Sequence, residues 1–319
     1  MTTSLFTFNF NYMQFKERYS TLRISIKFLA IIILTDIVLG SVAKALFFNQ
    51  KTGKYARSTY AIEETNAELL ILGSSHAIRQ YIPEIFEENL NKTCYNAGAE
   101  GQQLIYQYAL ERMILKRYQP QIMLLNIDEN WLYTSENAYN RLNDLYPYYS
   151  KEKDVLRSIF IKKAPWIDFQ MLSKTYQLNS TLVHIARYYM SPQKDYNGYR
   201  PLYGAMKPVE KEANKNTFPS EINHDFVSVL KAIIKDAKEN NVQLIFSSSP
   251  NPVPINFLQN KSMQKIIAIA KEENIPYLNY YNSPLFTQKW EFFHDIDHLN
   301  DKGATLFTKL LSNDLKAFQ

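Results

Sequence analysis

The residues best suited to do chemistry in this chain sit in two short runs near its opposite ends. Ile71-Leu72-Gly73-Ser74-Ser75-His76 places serines directly after an apolar stretch, where a strand would hand over to a helix. Asp295-Ile296-Asp297-His298-Leu299-Asn300 supplies an acid and a histidine three residues apart. A serine hydroxyl is a weak nucleophile at its own pKa. It needs an imidazole to take its proton and a carboxylate to hold that imidazole in the right tautomer. Ser75, His298 and Asp295 together supply all three groups, and the chemistry they suit is acyl transfer through a serine ester.

Local readings compete with this one. Gly-Ser-Ser is also an ordinary turn, and only its coupling to the downstream Asp-x-x-His makes Ser75 a nucleophile candidate, with Ser74 a turn residue. His76 follows Ser75 directly and reads as local structure or pocket lining. Asp297 is a rival orienting acid, but beside His298 in sequence it is worse placed than Asp295. His294 and His298 would share a face if the segment were helical, yet no third ligand motif accompanies them, so neither a metal nor another cofactor is expected. His184 and His224 have no partner visible in the sequence.

For groups so far apart to meet, the intervening chain must carry them to one edge of a scaffold. From Glu68 onward, short apolar runs alternate with helical patterns. Strands are expected at Leu69–Leu72, Thr93–Asn96, Ile122–Leu125, Val242–Phe246 and Tyr277–Asn279. Helices are expected over Pro83–Leu90, Leu104–Lys116, Phe226–Asn240, Ser262–Glu272 and Ala304–Leu315. Mostly apolar strands separated by helices imply a parallel sheet covered on both faces, hence a three-layer α/β/α, doubly wound domain. Ligands of such sheets bind beyond the carboxyl ends of the strands. Ser75, Gly101, the Asn126–Asn130 segment and the Asp295/His298 pair all fall there. The stretch from about Trp131 to Val209 breaks the rhythm and reads as a helical cap over that edge. It holds eleven of the 23 tyrosines, whose rings either stack on sugars or pack a small helical subdomain.

On these blocks the chain resembles the SGNH/GDSL hydrolase superfamily, over most of Glu68–Leu311 apart from the insertion. Gly73-Ser74-Ser75 matches the nucleophile block. Tyr95-Asn96-Ala97-Gly98-Ala99-Glu100-Gly101-Gln102 resembles the block whose glycine amide serves the oxyanion hole, Gly101 matching better than Gly98. Asp295 and His298, followed by Leu299-Asn300 and Gly303, match the last block. The third block departs from the pattern, because Asp128 aligns with the superfamily's asparagine and an ionised carboxylate only accepts hydrogen bonds. Asn126 and Asn130 are the nearby amides. Asn130, past the strand end, is the expected third donor beside the backbone amides of Ser75 and Gly101. The resemblance implies a flavodoxin-like fold and a Ser75–His298–Asp295 triad. It implies an esterase or O-acyltransferase acting on O-acyl groups, O-acetyl above all, of an envelope or exported carbohydrate. A lipase or thioesterase would need an apolar acyl tunnel instead, and a degenerate carbohydrate-binding protein would suit the missing asparagine.

The formal net charge of +5 over 319 residues is mild, and no Lys/Arg run is dense enough for a nucleic-acid partner. The single cysteine, Cys94, excludes an intrachain disulfide. Phe28–Phe48 is an apolar stretch interrupted by Asp36 and Lys44. At 1.5 Å per residue it reaches about 30 Å, the thickness of a bilayer core. Lys16, Arg18, Arg23 and Lys27 precede it, as the positive-inside rule wants for a cytoplasmic N-terminus, and Lys44, Lys51, Lys54 and Arg57 follow it, so charge alone does not settle the orientation. Ala43-Lys44-Ala45 has the form of a signal-cleavage site, but the basic leader is long for a cleaved signal. A buried amphipathic helix is the remaining alternative. The expected organisation is a cytoplasmic tail (1–27), a transmembrane signal anchor (28–48), a polar tether (49–66) and an SGNH hydrolase-like domain (67–319) outside the cytoplasm, periplasmic or at the cell surface.

Overall fold

The computed structural model describes residues 4–179, 181–208 and 218–318, with side chains described from Arg18 onward. Its centre is a sheet of five strands, β1 (Leu69–Leu72), β2 (Cys94–Asn96), β3 (Ile122–Asn126), β4 (Gln243–Ser248) and β5 (Tyr277–Asn279). The strand order is β2-β1-β3-β4-β5 and every pairing is parallel. Successive strand side chains point to opposite faces, so these apolar runs feed two cores. Leu70, Leu72, Met123, Leu125, Leu244 and Phe246 enter one. Leu69, Ile71, Ile122, Leu124 and Ile245 enter the other.

Helices cover both faces. In chain order they begin with α1 (Ser4–Phe48), α2 (Lys54–Glu63), α3 (Ser75–Gln80), α4 (Pro83–Leu90) and α5 (Leu104–Leu115). The insertion contributes α6 (Glu136–Asn140), α7 (Lys153–Phe160), α8 (Ile167–Gln170) and α9 (Leu182–Met190). The chain closes with α10 (His224–Glu239), α11 (Lys261–Glu272) and α12 (Asp301–Leu315). The first core is filled by Leu110 and Met113 of α5, Leu230 and Ile234 of α10 and Ile266 of α11. The second is filled by Phe86 and Leu90 of α4 and by Phe307 and Leu311 of α12. Asparagine sets three helix starts: Asn223, Asn260 and Asn300 accept from the amides of Asp225, Met263 and Gly303, each satisfying one orphan donor of the first turn.

Two sequence expectations change. Residues 49–66, read as a tether, carry α2, in which Tyr55, Arg57, Thr59, Ala61 and Ile62 are buried. Several of its polar groups are bonded inside the protein: Thr59 Oγ1 lies 2.5 Å from Tyr148 Oη, Arg117 Nε donates to the Ile62 carbonyl at 2.8 Å, and buried Arg57 faces Asp195 at 3.8 Å. The segment looked polar because it is built into the fold by hydrogen bonds as much as by apolar surface. The insertion also divides. Its helical part packs on α1 and α5 and meets the carboxyl edge beside Gly101, where Gln102 Nε2 donates to the Arg141 carbonyl at 3.2 Å. Residues 196–206 instead follow the β2 side of the sheet to the C-terminal histidine loop: Asn96 N donates to Asn197 O, Arg200 N to Ile78 O and Met206 N to Phe293 O, at 2.8–2.9 Å. Tyr133, Tyr148, Tyr149, Tyr188 and Tyr199 are buried, so these rings pack the protein interior.

The turn leaving β1 is tight enough to require glycine. Gly73 has φ +153°, and a Cβ there would meet the Cβ atoms of Ala77 and Asn126 at 2.8 Å. Buried Gln107 of α5 clamps it, donating to the Gly73 carbonyl at 2.9 Å and accepting from its N–H at 3.2 Å. Gln107→Leu leaves that buried N–H without its partner and should cost about 1–3 kcal/mol. A lower urea midpoint for the full chain is the readout.

Candidate active site

The β1 turn delivers Ser75 as the first residue of α3, behind Ser74, whose side chain caps the helix by accepting from His76 N. The other half of the site comes from the loop before α12. There Asp295 Oδ1 accepts the backbone amides of Asp297 and His298, both at 2.9 Å, folding the loop back on itself. Leu299 is fully buried, and Gln80 of α3 donates to the Asp297 carbonyl at 3.0 Å. So fixed, His298 presents Nδ1 to the Asp295 carboxylate at 2.9 and 3.1 Å and Nε2 to Ser75 Oγ at 2.9 Å. With Nδ1–H donating to the acid, Nε2 is the acceptor facing the hydroxyl. Such a chain can move a proton from serine to imidazole and stabilise the imidazolium that results.

A second histidine–carboxylate pair stands beside the first. His76 Nδ1 lies 2.7 Å from Asp128 Oδ1, and the His76 and His298 ring centroids are 5.5 Å apart. Asp128 also accepts from Asn126 Nδ2 at 2.8 Å, and Tyr81 Oη donates to Asn126 Oδ1 at 2.6 Å. The two pairs have opposite electrostatics. Burial pushes His76 down, but the Asp128 charge and hydrogen bond, with Glu129 and Asp297, raise its pKa to about 9. Burial pushes Asp128 up, yet the His76 charge and the bonds from His76, Ser74 and Asn126 hold it below the usual carboxylate range. His298 goes the other way, because burial and the neighbouring His76 charge outweigh Asp295 and depress it. Burial raises Asp295 too, but the Asp297 amide and the His298 ring and amide keep it low. At neutral pH His298 is a free base beside a cationic His76.

The other expected site residues separate. Gly101 sits third in a turn closed by Gln102 N–H to Ala99 O at 3.1 Å, with φ +70°, the conformation that a type II turn demands of glycine. A Cβ there would collide with the Arg141 guanidinium. Ala99 N donates to Gly73 O at 2.9 Å, which ties this turn to the one bearing Ser75. Asn130 is exposed in the turn after β3, its carbonyl accepting from Tyr133 N. Asn126 is fully buried, and its amide is spent on Asp128. His294 Nδ1 lies 2.6 Å from the Tyr203 carbonyl, away from the triad. Sequence reasoning missed the His76–Asp128 pair. The available signal was that β1 and β3 are neighbours, so residues just past their ends face one another.

No known family profile matches the chain, and no curated protein does. Similar solved structures include a lipolytic protein of the G-D-S-L family from Desulfitobacterium hafniense, 12% identical over 77% of this chain and 97% of its own, TM-score 0.39. A psychrotrophic esterase from Pseudoalteromonas is 12% identical over 78% of this chain and 97% of its own, TM-score 0.43. An acetyl xylan esterase from the rumen bacterium Butyrivibrio proteoclasticus is 10% identical over 78% of this chain and 63% of its own, TM-score 0.34. Likenesses this distant transfer no function, and the site stands on its own geometry. That geometry predicts two separate histidine titrations by imidazole NMR, His76 near 9 and His298 below its ordinary value of 6.5. Asp128→Asn should lower the first.

Proposed function

We propose that this chain is a serine-dependent ester hydrolase or O-acyltransferase of the SGNH type. The observation that carries the reading is the unbroken hydrogen-bond chain Ser75–His298–Asp295. In the proposed reaction, His298 Nε2 takes the Ser75 proton as Oγ bonds to the ester carbonyl carbon, and the carbonyl π pair moves onto oxygen. The backbone amides of Ser75 and Gly101 receive that oxyanion; Asn130, the third donor expected from sequence, is exposed in the turn after β3. Collapse expels the alkoxide, which takes the proton from His298. Water or an acceptor hydroxyl then resolves the acyl-enzyme by the same steps in reverse.

The substrate class we favour is O-acyl groups, O-acetyl above all, on an envelope or exported carbohydrate. Supporting it are partly exposed His298 and Asp295 side chains, which suit a bulky polar substrate better than a closed acyl tunnel, and the long apolar helix α1. We read α1 as an uncleaved anchor with the catalytic domain outside the cytoplasm. Its contacts favour retention: Asp36 accepts from Ser173 Oγ at 2.7 Å, Lys44 Nζ donates to Gln177 at 3.4 Å, and buried Phe47 packs on Tyr55 with ring centroids 4.9 Å apart.

Ser75→Ala and His298→Ala should abolish turnover of p-nitrophenyl acetate, and Asp295→Asn should lower kcat by about 10⁴-fold. A fluorophosphonate probe should label the wild type at Ser75 only. Retained activity in Ser75→Ala rules out this mechanism, and a folded wild type that the probe never labels favours a binding protein. The full-length chain should stay with membranes through a carbonate wash and leave them only in detergent.

A further inference from the structure

We infer that part of the insertion is embedded in the bilayer that α1 spans, an inference that rests on reading α1 as the anchor. If Lys27 marks the cytoplasmic boundary, about 30 Å of hydrocarbon at 1.5 Å per residue ends near Phe47. Asp36 then lies only about 13 Å in. Yet Asp36 is where the insertion docks: its carboxylate accepts from Ser173 Oγ at 2.7 Å, Lys174 N at 2.7 Å and Thr175 N at 3.0 Å. Gly40 permits the approach, since a Cβ there would overlap Lys174 and Thr175. Tyr189 Oη donates to the Leu46 carbonyl. The docked loop therefore lies near the middle of the bilayer, and the Tyr189 contact extends the docking to the outer end of the helix. Irregular backbone at that depth is tolerated when protein covers it, and the loop amides give the intramembrane carboxylate the partners it needs.

The exposed face of the docked segment has the composition that lipid selects. Trp166, Phe169, Leu172, Val183 and Met190 are 71–84% exposed, while Ile167 and Ile185 of the same segments are buried. Leu172 adjoins Ile31, Ile33 and Ile37 of α1 in one apolar recess, so this face continues the lipid-facing surface of the helix. The test is tryptophan fluorescence of the full chain in nanodiscs of phosphatidylcholine brominated on its acyl chains. Of the three tryptophans, Trp131 is buried in the core and half-buried Trp290 belongs to the segment leading into the Asp295/His298 loop, so quenching should come chiefly from Trp166 and disappear in Trp166→Phe. Protein held in nanodiscs with no quenching attributable to Trp166 overturns the embedding and leaves the anchor standing. Protein that never enters nanodiscs overturns both.

A different observation carries a second proposal, which rests on the triad reading. The geometry points to His76, held by Asp128, as the oxyanion donor that replaces the superfamily's asparagine. Asp128 follows β3 where that asparagine aligns, and its carboxylate orients the His76 ring through Nδ1 at 2.7 Å. An imidazolium has two N–H donors. Nε2–H has no hydrogen-bond partner among the described residues, on a ring 5.5 Å from that of His298 and one residue from the nucleophile. The groups facing His76 are Asp128 and Glu129 after β3, Asp297 and His298 from the C-terminal loop, and Ser74 at its own helix start. Their balance keeps it charged to about 9, so His76 donates to the developing oxyanion without giving up its proton.

The test compares His76→Leu and His76→Gln with wild type in kcat, KM and pH profile, with Ser75 phosphonylation as a parallel readout. His76→Leu should lose about 10²-fold in kcat with little change in KM. His76→Gln keeps a donor that does not titrate, so it should recover much of that loss. Wild-type activity should rise as His298 deprotonates and fall as pH climbs through about 9. The glutamine variant should lack the alkaline fall, and Asp128→Asn should move it to lower pH. Unchanged alkaline behaviour in His76→Gln, with wild type active and labelled at Ser75, overturns this assignment alone. A wild type neither active nor labelled overturns the triad and this assignment together.

Discussion

The hydrogen bond between Ser75 Oγ and His298 Nε2 joins two segments separated by 223 residues, and much of the architecture exists to hold it. One end is set by Gly73, which lets β1 turn sharply enough for Ser75 to open a helix. The other is set by an Asp295-centred turn that rests on Leu299 and is tethered to α3 through Gln80. Neither end has slack. A shift of about 1 Å in such a contact is enough to spoil proton transfer geometry, so the packing of α3 against α12 matters to the chemistry as much as the reacting groups do.

Parallel pairing explains why this contact is possible at all. All five strands point one way, so every strand end opens on the same edge. The change of winding direction between β1 and β3 leaves a crevice there. Polar residues collect in it: Ser74 and Ser75 after β1, Asn126 and Asp128 at β3, Ser247 and Ser248 closing β4. Buried, they must satisfy one another, and the Tyr81–Asn126–Asp128–His76 chain does so. The crevice thus carries two carboxylate–histidine pairs in opposite charge states, one poised to accept a proton and one holding its own.

Much of this was legible in the sequence. The run that became β1 has the expected bounds because burial on both faces leaves a continuous apolar signature, and Pro83 placed α4 because proline suits the first turn of a helix. Ser75, Asp295 and His298 stood out because acyl transfer restricts residue type and order so tightly, and the fold brings the three within hydrogen-bond distance. What was hidden is of another kind. Lys54–Glu63 mixes polar and aromatic residues whose burial depends on partners far along the chain, such as Tyr148 and Arg117, so no local window could show it. His76 and Asp128 carry no motif as a pair. They became partners only once β1 and β3 lay side by side.

Helix α1 is bound to the catalytic body by more than connectivity. Phe47 at its end is fully buried against Tyr55 and Tyr148, and Asp36, two-thirds of the way along, organises a loop of the insertion. The last turns of α1 are thus pieces of the fold itself. A chain beginning after Phe47 would leave the Tyr55 and Tyr148 rings without their cover and the 173–175 loop without the carboxylate that gathers it.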